Sequence, residues 1–158
     1  MMALQASLKM EVIAKFTQDG LARAKQAHRL FVTLTYAQSL DGSIAAVRAD
    51  NPSLTVRLVQ GTATSPRCGV ILLFGQIHAR GITSVMVEGG ASILTSCLMV
   101  QAIDSQFLSH GIVTIAPLFV GGLKGVAALL PAYPRLHPVQ VASLGKDVVM
   151  FGPFAPPQ

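Results

Sequence analysis

A short apolar run, Ser84 to Val87, leads into Glu88-Gly89-Gly90 and then into Ala91 to Val100, a stretch of helical composition with Ile93, Leu94, Cys97 and Leu98 on one face. This order of strand, glycine pair and helix constrains the fold more than any other feature of the chain. Upstream, Phe31 to Ala37 is β-branched and aromatic and reads as a strand, followed by a turn over residues 38–42. Ala49-Asp50-Asn51-Pro52 reads as a second turn. Val70 to Phe74 is either a strand or the start of a helix through Arg80; the pair Leu73 and Ile77 favours helix. Gly111 to Ala116 reads as a strand. Gln140 to Ala142 and Val148 to Phe151 read as an antiparallel pair around Gly145-Lys146. Helices alternating with strands, followed by a strand-rich end, predict an α/β domain of two or three layers with a mixed sheet.

The organisation that follows is an N-terminal helical segment over 1–30, one domain over 31–152, and a frayed Pro-rich tail over 153–158. In the first segment Leu4, Leu8, Val12 and Phe16 recur at four-residue spacing, and Gly20 is a candidate break. A chain of 158 residues can hold one domain with a substantial core. It is 51% hydrophobic and only 12% charged, which excludes disorder and coiled coil. The run Gly111 to Leu123, the longest candidate near the C-terminal half, is too short to span a bilayer and is broken by Pro117, Gly121 and Gly122. No membrane partner is expected. So few charges predict that part of the surface is covered by a second subunit.

The net charge is +5, and Lys9, Lys15, Arg23, Lys25 and Arg29 carry most of it. No basic block alternates with aromatic residues, so nucleic acid is not an expected partner; a diffuse positive bias suits a small anionic ligand. Cys68 and Cys97 lack metal-type spacing and read as buried thiols in a reducing, cytoplasmic setting. His28, His78, His110 and His137 share no spacing and read as structural, and no metal site is expected.

Carboxylates are scarce, which makes their positions informative. After residue 30 there are Asp41, Asp50, Glu88, Asp104 and Asp147. The first three sit at turns beside Gly or Pro after apolar stretches, where α/β sheets place ligand groups. Asp41 and Glu88 are expected to face each other as a carboxylate pair, one with a raised pKa that could move a proton. Gly89-Gly90 before a helix would present backbone N–H groups to a phosphate, although no dinucleotide-binding fingerprint is present. Arg57, in Asn51-Pro52-Ser53-Leu54-Thr55-Val56-Arg57, could grip a phosphate in two places.

Four segments together resemble the riboflavin-biosynthesis reductases, the fungal diaminohydroxyphosphoribosylamino-pyrimidine reductases above all. They are Phe31 to Gly42, Ala49 to Arg57, Gly81 to Ala91 and Ile112 to Gly122. The resemblance implies a dihydrofolate-reductase-like mixed sheet flanked by helices, in truncated form, and a homodimer. The implied activity is NADPH-dependent reduction of the ribosyl side chain of 2,5-diamino-6-ribosylamino-4(3H)-pyrimidinone 5′-phosphate. By motif match, Ala37, Asp50, Gly89, Gly90, Ala91 and Ser92 fall on cofactor-binding positions, and Leu54, Arg57 and Glu88 on substrate-binding ones. Asp41 falls beside the reacting carbon and, with Glu88, takes the catalytic place. Between Ile44 and Ala49 the chain has four residues where the family has several tens, and a second shortening falls near Cys68. Both predict poor turnover, with a nucleotide-binding or dimerising module as the alternative function.

Overall fold

The computed structural model describes residues 2–45, 66–126 and 130–155. Along the chain these form α1 (Met2–Gln26), β1 (Phe31–Ser39), β2 (Ser43–Ala45), α2 (Pro66–Ala79) and β3 (Ser84–Val87). Then follow α3 (Ala91–Gln101), β4 (His110–Ala116), β5 (Leu123–Lys124), β6 (Gln140–Leu144) and β7 (Asp147–Pro153). Five strands make a mixed sheet in the order β3-β1-β4-β7-β6, and β2 and β5 make a separate two-stranded ribbon. β1 lies parallel to β3 and β4, and β7 runs antiparallel to β4 and β6.

The alternation of β1 divides the molecule into three layers. Val32 and Leu34 face a core completed by Phe74 of α2, Val87, and Leu94, Cys97 and Leu98 of α3. Phe31 and Thr33, of opposite parity, are buried on the other face. There Phe16 of α1 packs against His110 and Phe151, with ring centroids 4.4 and 5.3 Å apart. Among residues 10–26, the α1 positions that are buried or mostly covered are Ile13, Phe16, Thr17, Gly20, Leu21 and Ala24, an i, i+3, i+4, i+7 stripe. Val12, expected on that stripe, is 49% exposed. Gly20 does not break the helix. It is where the ring of His110 comes closest.

Local chemistry explains the remaining elements. Val70 to Ala79 resolves as helix: α2 starts at Pro66, where a missing N–H costs nothing, and closes through Arg80 and Gly81, whose φ of 81° suits the left-handed cap. The β6–β7 hairpin closes through Gly145, with φ 64°. The first three residues of the tail expected to fray are held in place. Pro153 pairs with His110 in the sheet, Phe154 bridges to Leu136, and the Ala155 N–H donates to the Arg135 carbonyl at 2.8 Å.

Candidate active site

The C-terminal ends of the three parallel strands lie on one edge of the sheet, with β1 in the middle. The segments that leave this edge are Glu88-Gly89-Gly90 after β3, Leu40-Asp41-Gly42 after β1, and Pro117 to Gly122 after β4. β3 is short. Its last residue, Val87, lies beside Leu34, so among the described residues β1 runs on for five residues with a strand on its β4 side only. Ala37 sits on that extension and is exposed. Among the described residues the result is a notch with the β1 extension as one wall and the start of α3 at its corner.

Among the described residues no side chain caps the α3 corner. Gly90 is its extended N-cap and offers no side chain to the first-turn N–H groups. The Gly90 carbonyl accepts from Ile93 and Leu94, both at 3.1 Å, which seats the first turn. Glu88, Gly89 and Ser92 are exposed, whereas Ala91 is buried. A Cβ on Gly89 would come within 2.9 Å of Ile93 Cδ1, so the backbone passes too close to the helix for a side chain. This corner can offer unpaired N–H donors and the positive end of the helix to an anion.

Asp41 is occupied quite differently. Its carboxylate accepts from the Ser39 hydroxyl, from the Ser43 hydroxyl at 2.8 Å, and from the backbone N–H groups of Val120 and Gly121 at 3.2 and 2.8 Å. Lys124 Nζ lies 3.0 Å from Asp41 Oδ2 and 3.1 Å from Ser43 Oγ, and also donates to the Asp41 carbonyl. The Gly122 N–H donates to Ser43 Oγ at 3.1 Å. These bonds tie the β1–β2 turn to the loop after β4 across about eighty residues of sequence. The Ser39 hydroxyl first, and then Lys124, hold the Asp41 carboxyl far below the ordinary carboxylate range.

Two expectations are corrected here. Asp41 does not have a raised pKa, because every partner it has stabilises the charged form. Asp41 and Glu88 are also not brought together. They share a sheet edge, but Val87 ends beside Leu34, and Ser39 lies about 16 Å farther along β1 at roughly 3.3 Å per residue. Glu88 is not among the partners of Asp41. Asp50, Leu54 and Arg57 lie outside the described residues. The functional group that sequence reasoning missed is Lys124. Its one signal was position, directly after the Gly121-Gly122 pair in a stretch poor in charge. Among the described residues no cluster of His, Cys, Asp or Glu could hold a metal.

The sheet and its helices define a dihydrofolate-reductase-like α/β fold, and the notch at the sheet edge is where such a fold would take a ligand. The RibD C-terminal domain model matches residues 68–150, more than half of the chain. The chain therefore belongs to that family, the riboflavin-biosynthesis reductases that its motifs resemble. Among solved structures, the Saccharomyces cerevisiae riboflavin biosynthesis reductase Rib7 superposes with a TM-score of 0.61 at 19% identity, covering 91% of this chain and 99% of that one. Acinetobacter baumannii RibD gives a TM-score of 0.59 at 13% identity, over 92% of this chain and 64% of that one. The Thermotoga maritima diaminohydroxyphosphoribosylaminopyrimidine deaminase/5-amino-6-(5-phosphoribosylamino)uracil reductase gives 0.53 at 18% identity, over 82% of this chain and 58% of that one. The chain thus spans less than two thirds of these two bacterial proteins. A search of curated proteins by sequence finds no match.

Proposed function

We propose that this chain is an NADPH-dependent oxidoreductase that reduces the ribosyl side chain of 2,5-diamino-6-ribosylamino-4(3H)-pyrimidinone 5′-phosphate to the ribityl form. The observation that carries the reading is the uncapped N-terminus of α3 at Gly89-Gly90, opening on the C-terminal edge of the parallel strands in a chain of this family. Rib7 and the Thermotoga protein, with which it shares the fold, are reductases by name.

The residues present fit a phosphorylated dinucleotide. Gly89, Gly90, Ala91 and Ser92 would receive its phosphates on free N–H groups, and Ala37 leaves the wall of the notch without a bulky side chain. Asp50 belongs to the same cofactor set, and Leu54 and Arg57 to the substrate set, on the strength of the motifs. NADPH, when bound, supplies the hydride. The chain's own residues position the reactants and manage one proton. Asp41 stays ionised and braces the two loops that end the notch. Glu88, exposed at the corner, is the carboxylate free to exchange a proton with the substrate.

The test is oxidation of NADPH by the purified chain in the presence of the ribosylamino-pyrimidine phosphate, with NADPH binding titrated separately. Substrate-dependent oxidation that Gly90→Val abolishes supports the reading. Absence of both binding and turnover would sink it. The four residues between Ile44 and Ala49 favour a second reading, a nucleotide-binding module with little turnover, for which the same experiment would show binding without oxidation. We further propose a homodimer through the C-terminal strands, where Val139, Val141 and Val148 are exposed, in the cytoplasm. A monodisperse monomer in sedimentation at high concentration would count against the dimer. No helix among the described residues is long and apolar enough to cross a membrane.

A further inference from the structure

We propose that His110 is an acid sensor for the docking of α1: a proton taken up by its ring releases the helix from the sheet and leaves the rest of the domain folded. The proposal does not depend on the reductase reading. It starts from a buried polar atom with nothing to bond to. His110 is 3% exposed, and its Nδ1 is buried with no hydrogen-bond partner among the described residues. The ring lies between Phe16 of α1 at 4.4 Å and Phe31 of β1 at 4.9 Å. The backbone of Gly20 closes the third side. A Cβ there would stand 1.9 Å from His110 Cε1 and 2.7 Å from Nδ1, so no water fits between helix and ring.

A neutral imidazole tolerates this place at the cost of one unmade bond. An imidazolium does not, since both of its nitrogens are donors and Nδ1 has no acceptor. The surrounding charges add to the difficulty. Arg23 of α1, three residues beyond Gly20, repels a positive ring; Arg23, Lys15 and Asp19 are all exposed on that helix. β1 and β7 set Phe31, Thr33, Phe151 and Pro153 around His110, and none of them titrates. Burial first, and then Arg23, push the ring from its ordinary 6.5 down to about 4.

Undocking α1 removes each of these penalties together. It hydrates the ring and takes away Gly20, Phe16 and Arg23. The larger core lies on the opposite face of the sheet, built from Val32, Leu34, Phe74, Leu94 and Leu98, and no described side chain of α1 belongs to it. Release of α1 would therefore uncover Phe31, Val149 and Phe151 without dismantling that core.

The sign follows from linkage. Between pH 6.5 and about 4 the undocked state binds the proton and the docked state does not, so docking weakens as pH falls through that window. Amide hydrogen exchange, corrected for the intrinsic rate at each pH, reads this directly. Protection of the α1 amides is expected to fall about tenfold per pH unit below 6.5, to a total of about 300-fold near pH 4, while α3 stays protected. In His110→Phe the α1 protection should not vary with pH. Constant α1 protection in the unaltered chain, the same fall in His110→Phe, or joint loss of α1 and α3 would each overturn the proposal. Should His110→Phe fail to fold, the NMR titration of the His110 ring in the unaltered chain decides. A midpoint near 4, shared by the α1 resonances, supports the sensor; a midpoint near 6.5 with α1 unmoved refutes it.

Discussion

Gly20→Ala is the substitution whose sign separates local from tertiary reasoning. In an isolated helix, replacing Gly by Ala stabilises by about 1 kcal/mol. Here the new methyl would stand 1.9 Å from His110 Cε1 and 2.9 Å from Phe31 Cε2, where ordinary contact needs 3.4–4 Å. Relief requires either the His110 ring or α1 to retreat by roughly 1.5–2 Å. The ring has nowhere to go, because His110 and Phe31 are each 3% exposed and Phe16 covers the ring from the helix side. Overpacking of this kind costs about 1–3 kcal/mol, and an overlap this deep belongs at the upper end. Subtracting the helix gain leaves a net loss of about 2 kcal/mol, or roughly 4–8 °C in Tm for a chain of this size. The chain has no Trp, so urea unfolding is best followed by far-ultraviolet circular dichroism, with the slope expected unchanged and the midpoint lowered. The companion His110→Ala removes the obstruction. The double variant should be more stable than the two single losses predict, with a coupling of about 1 kcal/mol or more. A Gly20→Ala chain as stable as the unaltered one, or more so, would refute the described closeness of α1 and the sheet.

Asp41→Asn should lower Tm by loosening the loop after β4. Because the folded carboxyl titrates below its ordinary 3.8, its contribution is present above that pH and lost as pH falls beneath it, so the two proteins should converge in acid melts. Lys124→Met should produce a smaller loss than Asp41→Asn, since the Ser39, Ser43, Val120 and Gly121 bonds remain; thermal melts of the two variants side by side check the order. Leu94, fully buried in the core, should cost about 2–5 kcal/mol on change to Ala in urea unfolding. Burial pushes the Cys97 thiol up to about 11, so a thiol reagent should label it only after denaturant is added.

Much of the local architecture was legible in the residues. The run Phe31 to Ala37 became the first seven residues of β1, Ser84 to Val87 became β3, and Ala91 opened α3 directly behind the glycine pair. The Gly145-Lys146 turn joined β6 to β7 as expected. Each of these depends on a period or a turn preference carried by fewer than a dozen neighbouring residues. Composition also pointed to buried cysteine, and Cys97 is buried. What the chain could not display was any consequence of contacts between distant segments. The face that α1 buries is chosen by Phe31, His110 and Phe151 rather than by its own apolar spacing, so Phe16 faces inward while Val12 does not. Gly20 reads locally as a helix breaker, yet it serves a ring 90 residues away. Asp41 reads as a free turn carboxylate, but tertiary structure surrounds it with Lys124 and two loop N–H groups and so removes it as a proton donor. The offset between Asp41 and Glu88 depends on where β3 stops beside β1, a matter of register. Periodicity specifies which element forms because neighbouring residues share one backbone geometry; partners, register and the charge state of a buried group depend on atoms that only the folded chain brings together.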